Sequence, residues 1–417
     1  LYHGTGESNT THYGEEIGDN RLPQIWQNVL DAGDFAARRN EIAAFNQGTG
    51  RIKRGLAITP VKFGISFTLT HYNQGGALVH VYQDGTVQVN HGGTEMGQGL
   101  HTKILGVAMR ELGLPASCIR MMKTSTDKVP NTSATAASAG ADLNGAAVRV
   151  ACTTLRERMA PVAAKLLTAA AAGELDFQVK VDISPTRASS TLPKAEIPAA
   201  DVVFSEGFVS TRARPDLRVS FQKLATQCYV DRVSLSTTGY YSTPGIHWDW
   251  STASGRPFAY YASGAAISEV EVDGYTGMTR VRRVDIVHDV GDSLNPGLDR
   301  GQIEGGFVQG LGWLTSEELK WDASGRLLTH SASTYQIPAI SDAPMEFNVT
   351  LLPKAENAHA VHGSKAVGEP PLMLAISVRE AIRDAVSAFG RAGGTVALAS
   401  PATPEAVFMA IAQRQGE

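Results

Sequence analysis

Apolar residues recur along the chain with two periods, and the switches between them predict its elements. Pro23 at a first helical position, followed by Ile25, Trp26, Val29 and Leu30, predicts a short amphipathic helix. Phe35 to Phe45 predicts a second, ended by Gly48. The period then falls to two. Leu56 to Thr59 and Phe63 to Thr68 read as strands, and Ala77 to Tyr82 and Thr86 to His91 as a hairpin joined through Asp84-Gly85. A glycine-rich segment, Gly92 to Gly99, leads into a helix carrying Leu105, Met109 and Leu112.

The same order returns later. Ile267 to Val272, the pair Asp273-Gly274, a strand through Val281, Val284 and Ile286, and Asn295-Pro296-Gly297 open a helix with Ile303, Phe307, Leu311 and Leu314. This weak repeat implies two related halves packed around something shared. Between them, Ala163 to Ala172 is an alanine-rich helix end, and the polar stretch from Gly173 to Pro215 is expected to be an inserted, variable loop without chemistry. The last predicted element is one helix after Pro370-Pro371, with Leu374, Val378, Ala381, Ile382, Ala385, Val386 and Phe389 on its apolar face.

Composition narrows the function classes. With 417 residues, 43% hydrophobic, 19% charged and a net charge of −4, the chain is neither disordered nor fibrous and can bury several apolar layers. Cys118, Cys152 and Cys228 are too far apart for a disulfide framework or a C-x-x-C site, which fits the reducing cytoplasm. No apolar run of membrane-spanning length and no secretory leader is seen, so the N-x-[ST] triplets at Asn9, Asn131 and Asn348 read as chance. The 37 basic and 41 acidic residues form no basic stripe interleaved with aromatics, which argues against nucleic acid. The start at Leu1, in the polar run His3 to Thr11, reads as a fragment or processed subunit, with residues 1–22 as a tail or linker.

Several chemistries are absent by motif. Gly97-Gln98-Gly99 is followed by Leu100, His101 and Thr102 rather than by the third glycine of a dinucleotide fingerprint. Neither a phosphate-binding G-x-x-x-x-G-K-[ST], a G-x-S-x-G elbow nor H-E-x-x-H occurs. His359 and His362 sit in a polar run with no second carboxylate and read as a solvated segment rather than as metal ligands. What remains are three loops leading into helix N-termini: Gly92–Gly99, Asn131–Ser138 and Asn295–Gln302. Each is either a close-packed turn or a cradle for an anion; together they suit one extended polar ligand. Glu369, before Pro370-Pro371, is expected in the extended region at a helix start. It is either a general base or a carboxylate that only stabilises the helix dipole.

The segments Gly92-Gly93-Thr94-Glu95-Met96-Gly97-Gln98-Gly99-Leu100-His101-Thr102, Val129-Pro130-Asn131-Thr132-Ser133, Ala141-Asp142-Leu143-Asn144-Gly145, Gly301-Gln302-Ile303-Glu304-Gly305 and Lys365-Ala366-Val367-Gly368-Glu369-Pro370-Pro371 closely resemble the molybdenum-cofactor part of the xanthine dehydrogenase/oxidase family. The likeness runs from about Pro23 to Pro404. It implies an α+β, two-lobed domain with internal repeats over residues 23–417, the second molybdopterin-binding domain of this type. It also implies a molybdenum–molybdopterin cofactor whose metal carries oxo, sulfido and hydroxo ligands. By position, Gly97, Gln98, Gly99, Thr135, Ala137, Ser138, Gln302 and Gly368 match cofactor contacts. Phe67 and Thr68 match a substrate-facing strand, with Ala136 and Ala137 lining the same pocket. Glu369 matches the general base for hydroxylating hypoxanthine and xanthine.

Two departures stand out: Gly140 where many relatives carry serine, and the polar Leu69-Thr70-His71-Tyr72 where the usual entrance is apolar. By the same resemblance, Glu369-Pro370-Pro371 and Thr135-Ala136-Ala137-Ser138 favour purine hydroxylation over aldehyde oxidation; the alternatives are an aldehyde oxidase, another N-heterocycle hydroxylase, or a non-catalytic cofactor-binding or assembly module. The family's other glycine-rich loop, its purine-orienting residues, and its flavin (FAD) and [2Fe–2S] domains have no counterpart here. They are expected upstream or on partner chains, in a dimer of multi-part protomers.

Overall fold

Leu22–Ala32 (α1) and Phe35–Asn46 (α2) form where the apolar spacing predicts them, with Pro23 in the first turn of α1, where a missing N–H costs little. The two strands expected next are one continuous strand, Ile52–Ile65 (β1). Pro60, between the two expected strands, is accommodated because β1 is an edge strand: it faces Ala265 without needing to donate, its N side turned outward. Side chains close that outer edge. Asn46 Nδ2 donates to Arg54 O at 2.8 Å, Arg54 N donates to Asn46 Oδ1 at 2.9 Å, and Leu56 N donates to Asp384 Oδ2 at 2.9 Å.

The computed structural model describes residues 8–128, 131–173, 196–353, 357, 360–391 and 393–416. Val129, Pro130, His359 and residues 174–195 of the expected insertion lie outside the described residues. The chain forms two units, residues 1–70 with 245–417, and residues 71–244.

The unit 71–244 contains Gln74–Val81 (β2), Val87–His91 (β3), Leu100–Leu112 (α3), Ile119–Met121 (β4), Gly140–Ala171 (α4), Val202–Ser205 (β5), Phe208–Thr211 (β6), Val219–Ser220 (β7), Phe221–Val230 (α5) and Ser236–Ser242 (β8). Its main sheet runs β4-β3-β2-β8, antiparallel except for the β3–β4 pair. The helix α4 lies on β2 and β8 with α3 beside it, burying Val79, Val89, Ile104, Ala147, Ala151 and Leu155 completely. The later part of the 173–215 span is not the loop expected. Val202 to Phe204 and Phe208 to Val209 alternate around Glu206-Gly207, both at positive φ (53° and 80°), and close a hairpin. A two-residue turn of that kind matches the twist of its strands.

Chain return to the first unit adds His247–Asp249 (β9), Ser254–Arg256 (β10), Tyr260–Asp273 (β11), Thr279–His288 (β12), Pro296–Thr315 (α6), Glu346–Leu351 (β13), Pro370–Leu374 (α7), Ile376–Ser387 (α8) and Pro404–Gly416 (α9). Its sheet runs β1-β11-β12-β13, antiparallel except for β12–β13. Alternation along β11 feeds two cores: Ala265 and Ile267 meet Ile25, Val29 and Ile42 of α1 and α2, whereas Ala266 and Val270 meet Ile303 and Phe307 of α6 and Val378 and Ile382 of α8. The single helix expected after Pro370 is two, because short i→i+3 bonds (Ala375 N to Leu372 O, Val378 N to Ala375 O) tighten the chain at Ala375. Nor is it the last element: α9 follows and buries Val407, Ala410 and Ile411. Each unit is thus a mixed sheet covered by helices, an α+β arrangement in two lobes. Among the described residues, no helix is long and apolar enough to cross a membrane.

Candidate functional site

In the unit 71–244, β3 delivers the glycine-rich loop to the start of α3. Gly97 (φ 101°) and Gly99 (φ 76°) hold backbone conformations that side chains with a Cβ rarely adopt. Gln98 between them is fastened to its own loop: its Nε2 donates to Thr94 O at 2.9 Å and its Oε1 accepts Met96 N at 2.6 Å. An amide has two donor hydrogens and two acceptor lone pairs, so one hydrogen and one lone pair of Gln98 remain unspent by these two bonds. The segment 131–138 is brought against this loop. Thr135 Oγ1 accepts Thr94 N at 2.9 Å, and a Cβ at Gly92 would stand 2.0 Å from the Thr132 methyl carbon.

The three helix starts singled out as anion cradles are not equivalent. At α3 the place is taken: the Glu95 carboxylate accepts N–H bonds from Gly97 (2.9 Å), Gly99 (2.8 Å) and His101 (2.9 Å). Sequence reasoning gave Glu95 no role, although a carboxylate two residues before a Gly-x-Gly helix start is a local capping signal. At α6 the Asn295 side chain accepts Leu298 N at 3.1 Å, and Asp299 lies in the first turn. At α4 the N-cap residue Ala139 offers no side-chain acceptor, although Asp142 lies in the first turn. Ala137 and Ser138, just before it, both stand at φ 55°, unusual for residues other than glycine. The Ser138 hydroxyl oxygen is buried with no hydrogen-bond partner among the described residues. An uncapped helix end, two left-handed residues and an unspent buried hydroxyl suit an anionic, oxygen-rich group such as a phosphate. Ala136 is exposed beside them.

His91, at the end of β3, is sealed from water, and its Nδ1 accepts Gly93 N at 3.1 Å. Burial, and then the neighbouring His101, pull its imidazole down to about 4, so the ring is neutral.

In the other unit, Glu369 caps α7 and is exposed. Its backbone is helical (φ −78°, ψ −39°) rather than extended, because its carbonyl accepts Leu372 N at 3.2 Å to close the first turn. The carboxylate makes no capping hydrogen bond. The segment leading to it is held by several hydrogen bonds. Lys365 N donates to Val290 O, Ala366 N donates to the Tyr260 hydroxyl (both 2.8 Å), and Lys365 Nζ stands 2.5 Å from Asp289 Oδ2. Gly368 follows, exposed, with open space where a side chain would be.

Gln302 lies in the second turn of α6, one turn before Gly306. A Cβ at Gly306 would stand 3.5 Å from Gly368 O and one at Gly310 only 2.2 Å from Leu372 O. Glycines therefore let α6 press against α7, and the i, i+4 spacing carries Gln302 on the same helix face as Gly306. Phe67 and Thr68 are not in a strand. β1 ends at Ile65, Ser66 turns the chain at φ 148°, and Phe67 (half-buried) and Thr68 (exposed) follow in an irregular bend.

Residues 28–344 match the family described as "Molybdopterin cofactor-binding domain". The chain is 44% identical over 406 residues to the xanthine dehydrogenase/oxidase of Rattus norvegicus, covering 96% of this chain and 27% of that protein. To the xanthine dehydrogenase of Oryza sativa subsp. japonica it is 42% identical over 414 residues, 97% of this chain and 27% of that one. The chain thus spans about a quarter of the length of these relatives. Its fold matches quinoline 2-oxidoreductase from Pseudomonas putida 86 with a TM-score of 0.77 at 24% identity, over 97% of this chain and 47% of that one. The CO dehydrogenase of Oligotropha carboxidovorans follows at 0.76 and 20% identity, over 96% and 46%. The chain belongs to the molybdopterin cofactor-binding domain family.

Proposed function

We propose that this chain is the part of a xanthine dehydrogenase that holds the molybdenum–molybdopterin cofactor and supplies the general base for converting hypoxanthine to xanthine and xanthine to urate. The observation that carries the reading is Glu369: an exposed carboxylate without a cap bond, on a rigid support, in a chain 44% identical over 96% of its length to a xanthine dehydrogenase/oxidase.

When bound, the cofactor supplies the two-electron oxidation of the substrate carbon, with the new oxygen drawn from water. Gln98 offers its remaining amide N–H or oxygen lone pair to the pterin. Gly97 and Gly99 admit close backbone approach, and Ala137, Ser138 and the uncapped start of α4 take the phosphate, with Thr135 holding the two loops together. Gln302 and Gly368 contribute from the face shared by α6 and α7. Glu369 accepts, on a carboxylate oxygen, the proton of the attacking oxygen nucleophile; a carboxylate that need not break a cap bond is ready to do so. Phe67 packs against the flat purine ring, Thr68 lies at its edge, and Ala136 and Ala137 keep the wall beside it small. Electrons leave through iron–sulfur and flavin parts on other domains or chains, in a dimer of such protomers.

The deciding experiment is elemental mass spectrometry of the assembled protein, followed by xanthine turnover. About one molybdenum per copy, with urate formed, is the expected result. No metal in soluble, assembled protein would leave only a non-catalytic module.

A further inference from the structure

We infer that Glu95 is a positioning residue for the cofactor contact made by Gln98, an inference that rests on the cofactor reading above. Glu95 is the hub of the loop. One carboxylate oxygen accepts Gly97 N and Gly99 N, the two residues flanking Gln98, and the other accepts His101 N in the first turn of α3. Those bonds fix the positive-φ turn on both sides of Gln98, whose own amide is then latched to Thr94 O and Met96 N. Nothing else in the loop can do this, because three converging N–H donors need an acceptor-only group with two oxygens. Partial burial acts to raise the Glu95 carboxyl, but the three N–H groups outweigh it and hold it below the usual carboxylate range. The carboxylate also fills the α3 helix start, so an anionic part of the ligand is kept away from it. Glu95 thus sets the shape of the loop that carries Gln98, without touching the ligand.

An ordinary helix cap would make the same bonds, so the test must show that Glu95 acts through Gln98. Molybdenum release from the assembled protein is followed by elemental mass spectrometry for the parent, Glu95→Ala, Gln98→Ala and the double variant, with thermal unfolding recorded alongside. Each single variant is expected to release metal about tenfold faster, the scale of one charge-assisted hydrogen bond. The double variant is expected to be no faster than Gln98→Ala, because acting through one group makes the effects non-additive. Multiplied rates in the double variant, or unchanged release in Glu95→Ala, would overturn the assignment. Should Glu95→Ala fail to assemble, Glu95→Gln carries the same comparison: it keeps one oxygen for Gly97 and Gly99 but turns an NH2 group on His101 N–H. A parent protein without molybdenum would instead sink the cofactor reading itself.

Discussion

Lys365 Nζ stands 2.5 Å from Asp289 Oδ2, with Lys365 5% exposed and Asp289 fully enclosed. The second Asp289 oxygen accepts Gly291 N at 2.9 Å, and Lys365 Nζ also reaches Tyr261 O at 3.2 Å. The pair ties the end of β12 to the irregular segment that presents Glu369 four residues later. Removing one partner leaves a buried charge with only a distant counter-ion (Arg21 Nε 3.9 Å from Asp289 Oδ2, Asp19 Oδ2 3.9 Å from Lys365 Nζ), which costs up to about 3–5 kcal/mol, whereas removing both is much milder. Lys365→Met is therefore expected to loosen residues 361–372 by that amount in hydrogen exchange, with Lys365→Met/Asp289→Asn falling between it and the parent. Equal protection in the single variant would show that the pair does not hold the segment.

Glu369→Gln keeps the shape of the α7 start and makes no demand on a cap bond, since none is present. Folding and molybdenum content are expected to stay at the parent level while turnover falls about 10²–10⁴-fold, the usual loss for a positioned base. Near-parent turnover would remove Glu369 from the role.

Ser138→Ala separates stability from binding. The hydroxyl has no partner among the described residues, so its loss is expected to leave stability within about 0.5 kcal/mol of the parent. Cofactor retention, read as metal content after prolonged dialysis, is expected to fall. A large loss of stability with unchanged retention would mean that the hydroxyl serves the fold instead.

At α6, Gly310→Val would drive a side chain into the α7 backbone, where even a Cβ would stand 2.2 Å from Leu372 O. Such overpacking costs roughly 1–3 kcal/mol and displaces the element that carries Glu369. Turnover is expected to drop more than molybdenum content does. Parent-like kinetics would show that α7 tolerates the shift.

Two buried histidines give the chain an acid limit. His91 and the fully enclosed His288 are each pulled down to about 4, chiefly by burial, from an ordinary 6.5. Their native forms hold fewer protons than the unfolded chain between these values. The stability they permit is complete above about pH 6.5 and is lost as pH falls toward 4, by up to ~3 kcal/mol each. Unfolding midpoints measured from pH 7 to 4 are expected to fall with that sign, and His288→Gln is expected to flatten the slope. A flat profile in the parent would show that neither ring is neutral by burial.

Helix and strand positions were legible wherever one period ran unbroken, as in α1, α3, α6 and the hairpin of β2 and β3. The misses have local physical causes. Pro60 reads as a break unless its place on the sheet edge is known, and Glu206-Gly207 reads as loop because glutamate seldom adopts positive φ. The preference of a residue before proline for extended backbone failed at Glu369, where closing the α7 turn outweighs it. The site residues were legible as motifs, but their division of labour was not. Nothing in Gly92–Gly99 says that Glu95 fills one helix start, and nothing in Asn131–Ser138 says that the Ser138 hydroxyl is left unspent.

The outer edge of β1 has a bearing on how this chain behaves among its own copies. An uncovered fourteen-residue strand would be a template for another strand to dock on. Here the backbone at Arg54 is paired by the Asn46 amide as a neighbouring strand would pair it, Leu56 N is held by Asp384, and Pro60 has no N–H to offer. An incoming strand would find no continuous ladder to join, so resistance to fibrillar association is written into three side chains far from any chemistry.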